Sequence, residues 1–372
     1  MPLTRIKLGE LIEQVTETNA ELKLGLDDVM GMTLSKEIIP TKADINPKEL
    51  PKFTVVSKHD FIFNPRTHGE KIGFGFSEFD KKFLISWNNI AFHIKKTKET
   101  IINPYYLWMW LKRDEWDRFA TFNSWGSSTE VFSWNSLCDM EIDLPDMEIQ
   151  LKFVKIYNSM VQNQKIFEKT LNDLKFVCDA SIEEIRKKVK IQPILPFLTE
   201  RCETNKSGSV SLMKGVGLRG FIEPNQLRTE ESLKKCNVFY LNDFVYAPSS
   251  IKNGVISFND KFEKAICTEE YIVFHINKPE RLNPYYLLLW LKREELGRYI
   301  DFVSIDSVRN RFYFKDLGII EIPIPDIDIQ DKVAKLYKNY LDRKEINDDL
   351  KDQIFNLCPV LIKGSIEEAM RS

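Results

Sequence analysis

The sequence predicts an α+β fold: two similar α/β domains separated by two long helices that pair as an antiparallel coiled coil. Two observations predict it. The chain of 372 residues repeats itself at an offset of 180 positions, and each half ends in a long heptad pattern. A repeat of this length changes the interpretation of every element, because each half must then be one structural unit. We therefore expect an internal repeat with pseudo-two-fold symmetry.

The repeat is carried by two long segments that match in register. The 16 residues NPYYLWMWLKRDEWDR from Asn103 share 11 identities with NPYYLLLWLKREELGR from Asn283. At the same offset, EIDLPDMEIQLKFVKIY from Glu141 matches EIPIPDIDIQDKVAKLY from Glu321. Shorter matches upstream keep their order, whereas the loops between them differ. The sequence thus predicts one scaffold that carries two different loop surfaces.

Each half begins with segments that are typical of strands. These segments are rich in β-branched and aromatic residues and are bounded by Asn, Asp, Gly or Pro. They are FTVVSKHDFIFN and ISWNNIAFHI in the first half, and NVFYLNDFVYAP and AICTEEYIVFHI in the second. We therefore expect, in each half, a strand-rich region, a helix, a proline-containing crossover and a long helix.

The shared NPYY segments resemble Asn-Pro-Pro-Tyr, the catalytic tetrapeptide of amino-methylating DNA methyltransferases. That chemistry also needs a methyl donor held by a Gly-rich turn after a strand, and IGFGF from Ile72 lacks the required spacing. Asn103 and Asn283 are good N-caps, and proline is favoured at the first position of a helix. The sequence predicts that NPYY starts a helix in each half and is not an active site.

A heptad pattern follows each crossover. The first apolar seam comprises Phe153, Tyr157, Met160, Gln164, Phe167, Leu171, Leu174, Cys178, Ser181 and Ile185. The second comprises Ile329, Val333, Leu336, Tyr340, Arg343, Asn347, Leu350, Ile354, Leu357 and Leu361. At about 1.5 Å per residue, the first helix is on the order of 50 Å long. The simplest arrangement pairs the two seams with each other, and the alternative is a seam for another protein.

These features predict four segments. We expect a first domain at 1–148, a central helix at 149–190, a second domain at 191–328 and a C-terminal helix at 329–372.

Composition narrows the function classes only a little. The sequence has no apolar run long enough for a membrane span and opens without an apolar leader, so we expect a cytoplasmic protein and no membrane partner. The six cysteines and four histidines lack metal-ligand spacing, which predicts buried free thiols and no metal site. A net charge of −2 argues neither for nor against nucleic-acid binding, because only a basic face is needed.

The crossovers carry a family resemblance that covers the whole chain. Two variable regions, each followed by Leu-Pro or Ile-Pro, an acidic residue, Ile-Gln and a long helix, resemble the specificity subunit of type I restriction-modification systems. The most telling pieces are WNSLCDMEIDLPDMEIQLKFVKIY and FKDLGIIEIPIPDIDIQDKVAKLY. Family members usually have Leu-Pro-Pro-Leu followed by Glu-Gln there, and this chain has LPDMEIQ and IPDIDIQ instead.

The resemblance implies a non-catalytic reader of double-stranded DNA. Each variable region would be a target-recognition domain for one half of a bipartite, asymmetric site, and the paired helices would set the gap. Family members gather two methyltransferase subunits, which bind S-adenosylmethionine, and can also recruit motor-nuclease (restriction) subunits that use ATP. None of these cofactors would bind this chain. Two alternatives stay open: a coiled-coil adaptor between proteins, and a stand-alone DNA adenine methyltransferase.

Candidate DNA-binding residues lie in two loops of each half. In the first loop they follow the strands DFIFNP and DFVYAP, and in the second they follow the NPYY helices. Arg and Asn can make bidentate contacts with bases, and Ser or Thr can bind phosphates. The candidates are Arg66, His68, Lys71, Trp125, Ser127, Ser128, Thr129, Ser250, Lys252, Asn253, Ser307, Arg309, Asn310 and Arg311.

Overall fold

The computed structural model of the chain describes residues 3–66, 71–125, 130–224, 229–303 and 311–371. The chain divides into two compact units. Unit 1 contains residues 1–165 and 349–372, and unit 2 contains residues 166–348. Each unit therefore takes one end of each long helix, so the divisions fall within the helices and not at their ends.

Unit 1 contains twelve strands and four short helices in its described part. The strands are β1 Thr4–Lys7, β2 Ile12–Gln14, β3 Met30–Met32, β4 Ile38–Pro40, β5 Thr54–Val56, β6 Phe61–Phe63, β7 Phe74–Phe76, β8 Phe83–Ile85, β9 Ile90–Ile94, β10 Ser124–Trp125, β11 Val131–Phe132 and β12 Glu141–Leu144. The helices are α1 Leu8–Leu11, α2 Pro104–Leu111, α3 Asp114–Phe122 and α4 Trp134–Cys138, after which the long helix α5 Met147–Lys188 begins.

An antiparallel sheet in the order β2-β9-β6-β7 forms the centre of unit 1. Its register places Phe61 between Phe92 and Phe76, and all three side chains are buried. The Phe61 ring centroid lies 5.1 Å from that of Phe92 and 4.8 Å from that of Phe76. Helix α2 covers this row of rings with Trp108, which stacks on Phe76. Side-chain packing of this kind is the main source of sheet stability.

The two long helices run antiparallel in unit 1. Near the start of α5, Lys152 Nζ lies 2.7 Å from a carboxylate oxygen of Glu368, near the end of the second long helix. The next residue, Phe153, packs beside Gly364, which lies one turn before Glu368 on that helix. Tyr157 and Cys358 are buried in the same core as the sheet. The seam is therefore part of the hydrophobic core of the unit.

Unit 2 repeats this plan. Its strands are β13 Ile191–Pro193, β14 Leu198–Glu200, β15 Gly215–Gly217, β16 Gly220–Ile222, β17 Asn237–Tyr240, β18 Asp243–Tyr246, β19 Ile256–Phe258, β20 Lys264–Cys267, β21 Ile272–Ile276 and β22 Glu321–Pro323. Its helices are α6 Glu230–Lys234, α7 Pro284–Leu291 and α8 Glu294–Val303, followed by the second long helix, α9 Ile327–Arg371.

The central sheet of unit 2 has the order β14-β21-β18-β19 and the same aromatic row. Phe244 lies between Phe274 and Phe258, with ring centroids 4.9 Å and 5.0 Å away. The long helices are antiparallel here too, because the Arg343 guanidinium lies 5.9 Å from the Phe167 ring centroid while Cys178 and Val333 share one core. The predicted fold class and internal repeat are confirmed.

Both NPYY segments start helices, as predicted. The side-chain oxygen of Asn103 accepts hydrogen bonds from the backbone N–H groups of Tyr105 and Tyr106, and Asn283 does the same for Tyr285 and Tyr286. Each asparagine is the N-cap, and the following proline occupies the first turn.

The first heptad seam is confirmed, and the second needs a correction at its start and at Arg343, which is exposed. Every seventh residue from Tyr157 to Ile185 is buried, including the polar Gln164. In α9, however, Ile329 is 43% exposed and the neighbouring Gln330 is buried. Polar Gln330 takes the inward position there because its amide forms hydrogen bonds with backbone groups in the core.

All six cysteines are free, and four are buried. The expectation of buried thiols is wrong for Cys202, which is exposed because it lies on the surface just after β14, and only partly right for half-buried Cys138. Within the described ranges, no cluster of three or more His, Cys, Asp or Glu side chains could hold a metal ion. Across the same ranges, every helix is too short or too polar to span a membrane.

Candidate nucleic-acid interface

In unit 1, the candidate residues Arg66 and Trp125 lie on either side of Val131. Arg66 forms an antiparallel bridge with Val131, and Val131 pairs with Trp125 in the β10–β11 hairpin. The bridge is fixed by the Phe132 N–H, which donates to the Pro65 carbonyl at 2.7 Å. Arg66 and Val131 are exposed, and Trp125 is 73% exposed. We call Arg66, Val131 and Trp125 the unit 1 rung.

Lys71 lies apart from that rung. Its Nζ is 3.6 Å from Asp114 Oδ1, in the first turn of α3, whereas Trp125 follows the last turn of the same helix. A helix of nine residues separates its ends by about 12 Å. The structure therefore brings Arg66 and Trp125 together and leaves Lys71 at the other end of α3.

Unit 2 has an equivalent backbone contact between two chain segments, but its arginine lies on the opposite segment from the one that carries Arg66 in unit 1. The Phe312 N–H donates to the Pro248 carbonyl at 3.0 Å, as Phe132 does to Pro65 in unit 1. Arg311 therefore corresponds to Val131, and Ser249 corresponds to Arg66. Each unit has one arginine at this backbone contact. In unit 1 the arginine lies on the first of the two segments, and in unit 2 it lies on the second. A scaffold built twice thus presents its positive charge at two different places.

Arg311 also lines a cleft of about 610 Å³ in unit 2. Its walls are the β15–β16 hairpin, the segment 247–250 after β18, and Tyr271. The candidate Ser250 lies in this wall. Lys214 also lines the cleft but is paired with Glu223, and the other charged residues of the lining are Arg311 and Glu270.

Lys252 and Asn253 lie in a short 3-10 turn, Ile251–Asn253, next to the cleft. Lys252 Nζ is 2.5 Å from Asp301 Oδ1 of α8, and its backbone carbonyl packs against Gly297 where any larger residue would collide. Asn253 is exposed. The structure thus directs Lys252 toward α8, while Asn253 remains at the surface.

Seven of the predicted residues lie outside the described residues. They are His68, Ser127, Ser128, Thr129, Ser307, Arg309 and Asn310. Their roles stay predictions.

Two features were missed from the sequence. The β15–β16 hairpin contributes much of the cleft wall, yet its short GVG and GFI strands carry little apolar pattern. Exposed Phe122 and Phe302 lie in the last turns of helices α3 and α8, and their equivalence in the repeat was a signal that could have found them.

The comparison with protein families found a similarity that covers most of unit 2. Residues 188–356 match the family model described as the type I restriction modification DNA specificity domain. This range, just under half of the chain, is therefore similar to type I DNA specificity domains. This confirms the resemblance predicted from the crossover segments, and the matched range includes the unit 2 cleft, Arg311 and Asn253.

Solved structures extend the fold assignment to the whole chain. The type I restriction-modification S subunit from M. genitalium is similar over 98% of this chain and 96% of that chain, with 12% identity and a TM-score of 0.59. The HsdS subunit from Thermoanaerobacter tengcongensis aligns over 98% of this chain and 96% of that chain, with 12% identity and a TM-score of 0.37. The fold assignment rests on the first structure. No curated protein matches the chain.

Proposed function

We propose that the chain is a non-catalytic, sequence-specific DNA-binding subunit of a type I restriction-modification complex. In this proposal each unit is a target-recognition domain that reads one half of a bipartite, asymmetric site in double-stranded DNA. The match of residues 188–356 to the type I DNA specificity family model is the observation that carries the proposal. Unit 1 repeats the same sheet, the same helices and the same backbone contact between loop segments, which supports a second reader of the same kind.

The two arginines support asymmetric reading. An arginine can donate two hydrogen bonds to the O6 and N7 atoms of guanine, which is the commonest specific contact in the major groove. Arg66 and Arg311 lie on opposite segments of the equivalent backbone contacts in the two units. Two readers with this difference would approach different base pairs within their half-sites.

The long helices support the spacer role. Half-sites one turn apart are about 34 Å from each other along the duplex, and helices of 42 and 45 residues exceed that length. In this proposal the helices set the gap and dock two methyltransferase subunits, and restriction subunits where these exist. S-adenosylmethionine and ATP would bind those partners and not this chain.

The salt dependence of DNA binding tests this proposal against the protein adaptor. Affinity for duplex DNA is measured by fluorescence anisotropy from low to physiological salt. A DNA reader loses affinity steeply, with a log-log slope of about −0.9 for each phosphate contacted. An adaptor would show no salt-dependent binding to duplex DNA. Saturable binding of S-adenosylmethionine by the isolated chain would instead favour a stand-alone methyltransferase.

A further inference from the structure

The last turns of helices α3 and α8 each contain a phenylalanine that is exposed to solvent. Phe122 is 79% exposed and Phe302 is 72% exposed, and their offset is that of the repeated NPYY helices. The chain has 25 phenylalanines, and only Phe79 and Phe176 are also exposed among the described residues. Exposure of this side chain at equivalent positions of both units is therefore a shared feature of the scaffold.

The fold does not need these two rings. Helix α3 packs into its core through Trp116 and Ala120, and helix α8 does so through Ile300. Phe122 and Phe302 belong to neither core. The residues around them differ, as FATFNSW and YIDFVSI show, but the phenylalanine is present in both. Exposed apolar surface weakens folding or solubility, so its presence in both copies points to a bound partner.

Their surroundings favour DNA as that partner. Phe122 comes just before β10, whose Trp125 lies in the unit 1 rung with Arg66. Helix α8, whose last turn contains Phe302, packs against the Lys252 turn beside the cleft that Arg311 lines. In each unit, the exposed phenylalanine therefore lies on a helix whose end is followed by, or packs against, a segment that neighbours an arginine. A duplex offers phosphates and guanine acceptors to the arginine, and the apolar thymine methyl group to the ring.

We propose that Phe122 and Phe302 are specificity-determining residues that make an apolar contact with base edges, one in each half-site. This inference rests on the proposed function. Each ring packs against a thymine methyl group beside the base pair approached by the arginine of its unit. The contact adds affinity without neutralising a phosphate, so it changes specific binding and not the salt slope.

The test compares Phe122→Ala and Phe302→Ala with Phe176→Ala, whose ring is 73% exposed on the long helix α5. Each complex, assembled with its methyltransferase, is titrated with a duplex carrying the sequence that the unaltered complex methylates. We expect each site variant to lose about tenfold in affinity with an unchanged salt slope, and Phe176→Ala to bind normally. Because the three rings are exposed, all variants should fold.

Two results would overturn the inference. One is normal affinity in both Phe122→Ala and Phe302→Ala. The other is normal DNA affinity together with weaker retention of the methyltransferase, which would make these rings a protein contact. If the unaltered complex itself binds no duplex specifically, the proposed function fails, and that outcome is separate from either result.

Discussion

The side chain of Gln150 forms a hydrogen bond with the backbone of Asn103, at the start of helix α2. Its Oε1 accepts a hydrogen bond from the Asn103 N–H at 2.9 Å, and its Nε2 donates to the carbonyls of Ile101 and Pro145 at 2.8 Å and 2.9 Å. Gln150 is fully buried. The two segments that reveal the repeat, NPYY and the Ile-Gln of the crossover, are therefore in direct contact.

Gln330 makes the same three bonds in unit 2. Its Oε1 accepts from the Asn283 N–H at 3.0 Å, and its Nε2 donates to the carbonyls of Arg281 and Pro325 at 2.9 Å and 2.7 Å. The buried amide thus joins the helix start to the crossover in both copies.

Replacing either glutamine with leucine should destabilise its unit. Gln150→Leu leaves one buried N–H and two carbonyls without their partner, and each such group costs about 1–3 kcal/mol. We expect a loss of about 3 kcal/mol in the free energy of unfolding, measured by urea denaturation. The control is Gln162→Leu at an exposed position of α5. Equal stability of the two variants would show that the buried amide is dispensable.

Removal of one partner of a buried ion pair should destabilise unit 1. Lys36 Nζ lies 3.1 Å from Asp117 Oδ2 and donates to the Leu111 carbonyl at 3.1 Å, with its side chain only 1% exposed. Lys36→Met would leave the Asp117 carboxylate buried without its partner, at a cost of about 3–5 kcal/mol. Thermal unfolding measures the loss.

The ion-pair experiment needs two comparisons. Lys58→Met removes an exposed pair with Asp80 and should leave stability unchanged. The double variant Lys36→Met, Asp117→Leu should regain much of the loss, because no isolated charge stays buried. A double variant as unstable as the single one would mean that the carbonyl contacts of Lys36 matter more than the charge pair.

Lys292 should make unit 2 more stable as the pH rises. Burial lowers its pKa from 10.5 to about 8, and the positive charge of Lys344 adds to this shift. Below about pH 8 both the folded and the unfolded chain bind the proton, so the full cost of burying the charge is present. Between about pH 8 and 10.5 only the unfolded chain binds it, so the free energy of unfolding increases with pH.

The corresponding variant is Lys292→Met. We expect a higher melting temperature than that of the unaltered chain at pH 7, and a difference that narrows above about pH 8. Lys315→Met, at an exposed position, should show no such pH dependence. A constant difference from pH 7 to pH 10 would contradict the lowered pKa.

Arg66 and Arg311 should each affect one half of the recognised sequence. Arg66→Ala should relax the base requirement in one half-site, and Arg311→Ala should relax it in the other, because the two residues belong to different units. Each loss should be about 1–3 kcal/mol of discrimination. Methylated sequences from each variant complex provide the measurement, with Arg186→Ala on α5 as the control. Relaxation of both halves by a single variant would argue against independent readers.

The sequence predicted those parts of the fold that depend on local patterns. The Asn-Pro helix starts and the buried positions from Tyr157 to Ile185 follow from capping and from the heptad period. The exposure of Ile329 was not predictable in the same way, because neighbouring Gln330 takes the buried position through bonds to distant backbone groups. Periodicity carries no information about such partners.

The candidate sites show the same distinction. The repeat predicted that loops after equivalent strands would be the variable surface. The structure then brings Arg66 and Trp125, which come from two separate loops, onto one rung. The repeat could not predict that Lys252 would pair with Asp301, or that Lys71 would lie at the other end of α3. Those outcomes depend on how separate segments pack, which one sequence does not encode in any short pattern.

The most direct test of two independent readers is a map of adenine methylation at base resolution. The chain is co-expressed with the methyltransferase encoded beside it, and residues 191–328 are then exchanged for the corresponding domain of another specificity subunit. The account predicts methylation at a two-part asymmetric sequence with a fixed gap, and the exchange should change only one part. A change in both parts, or methylation by this chain without a partner, would contradict it.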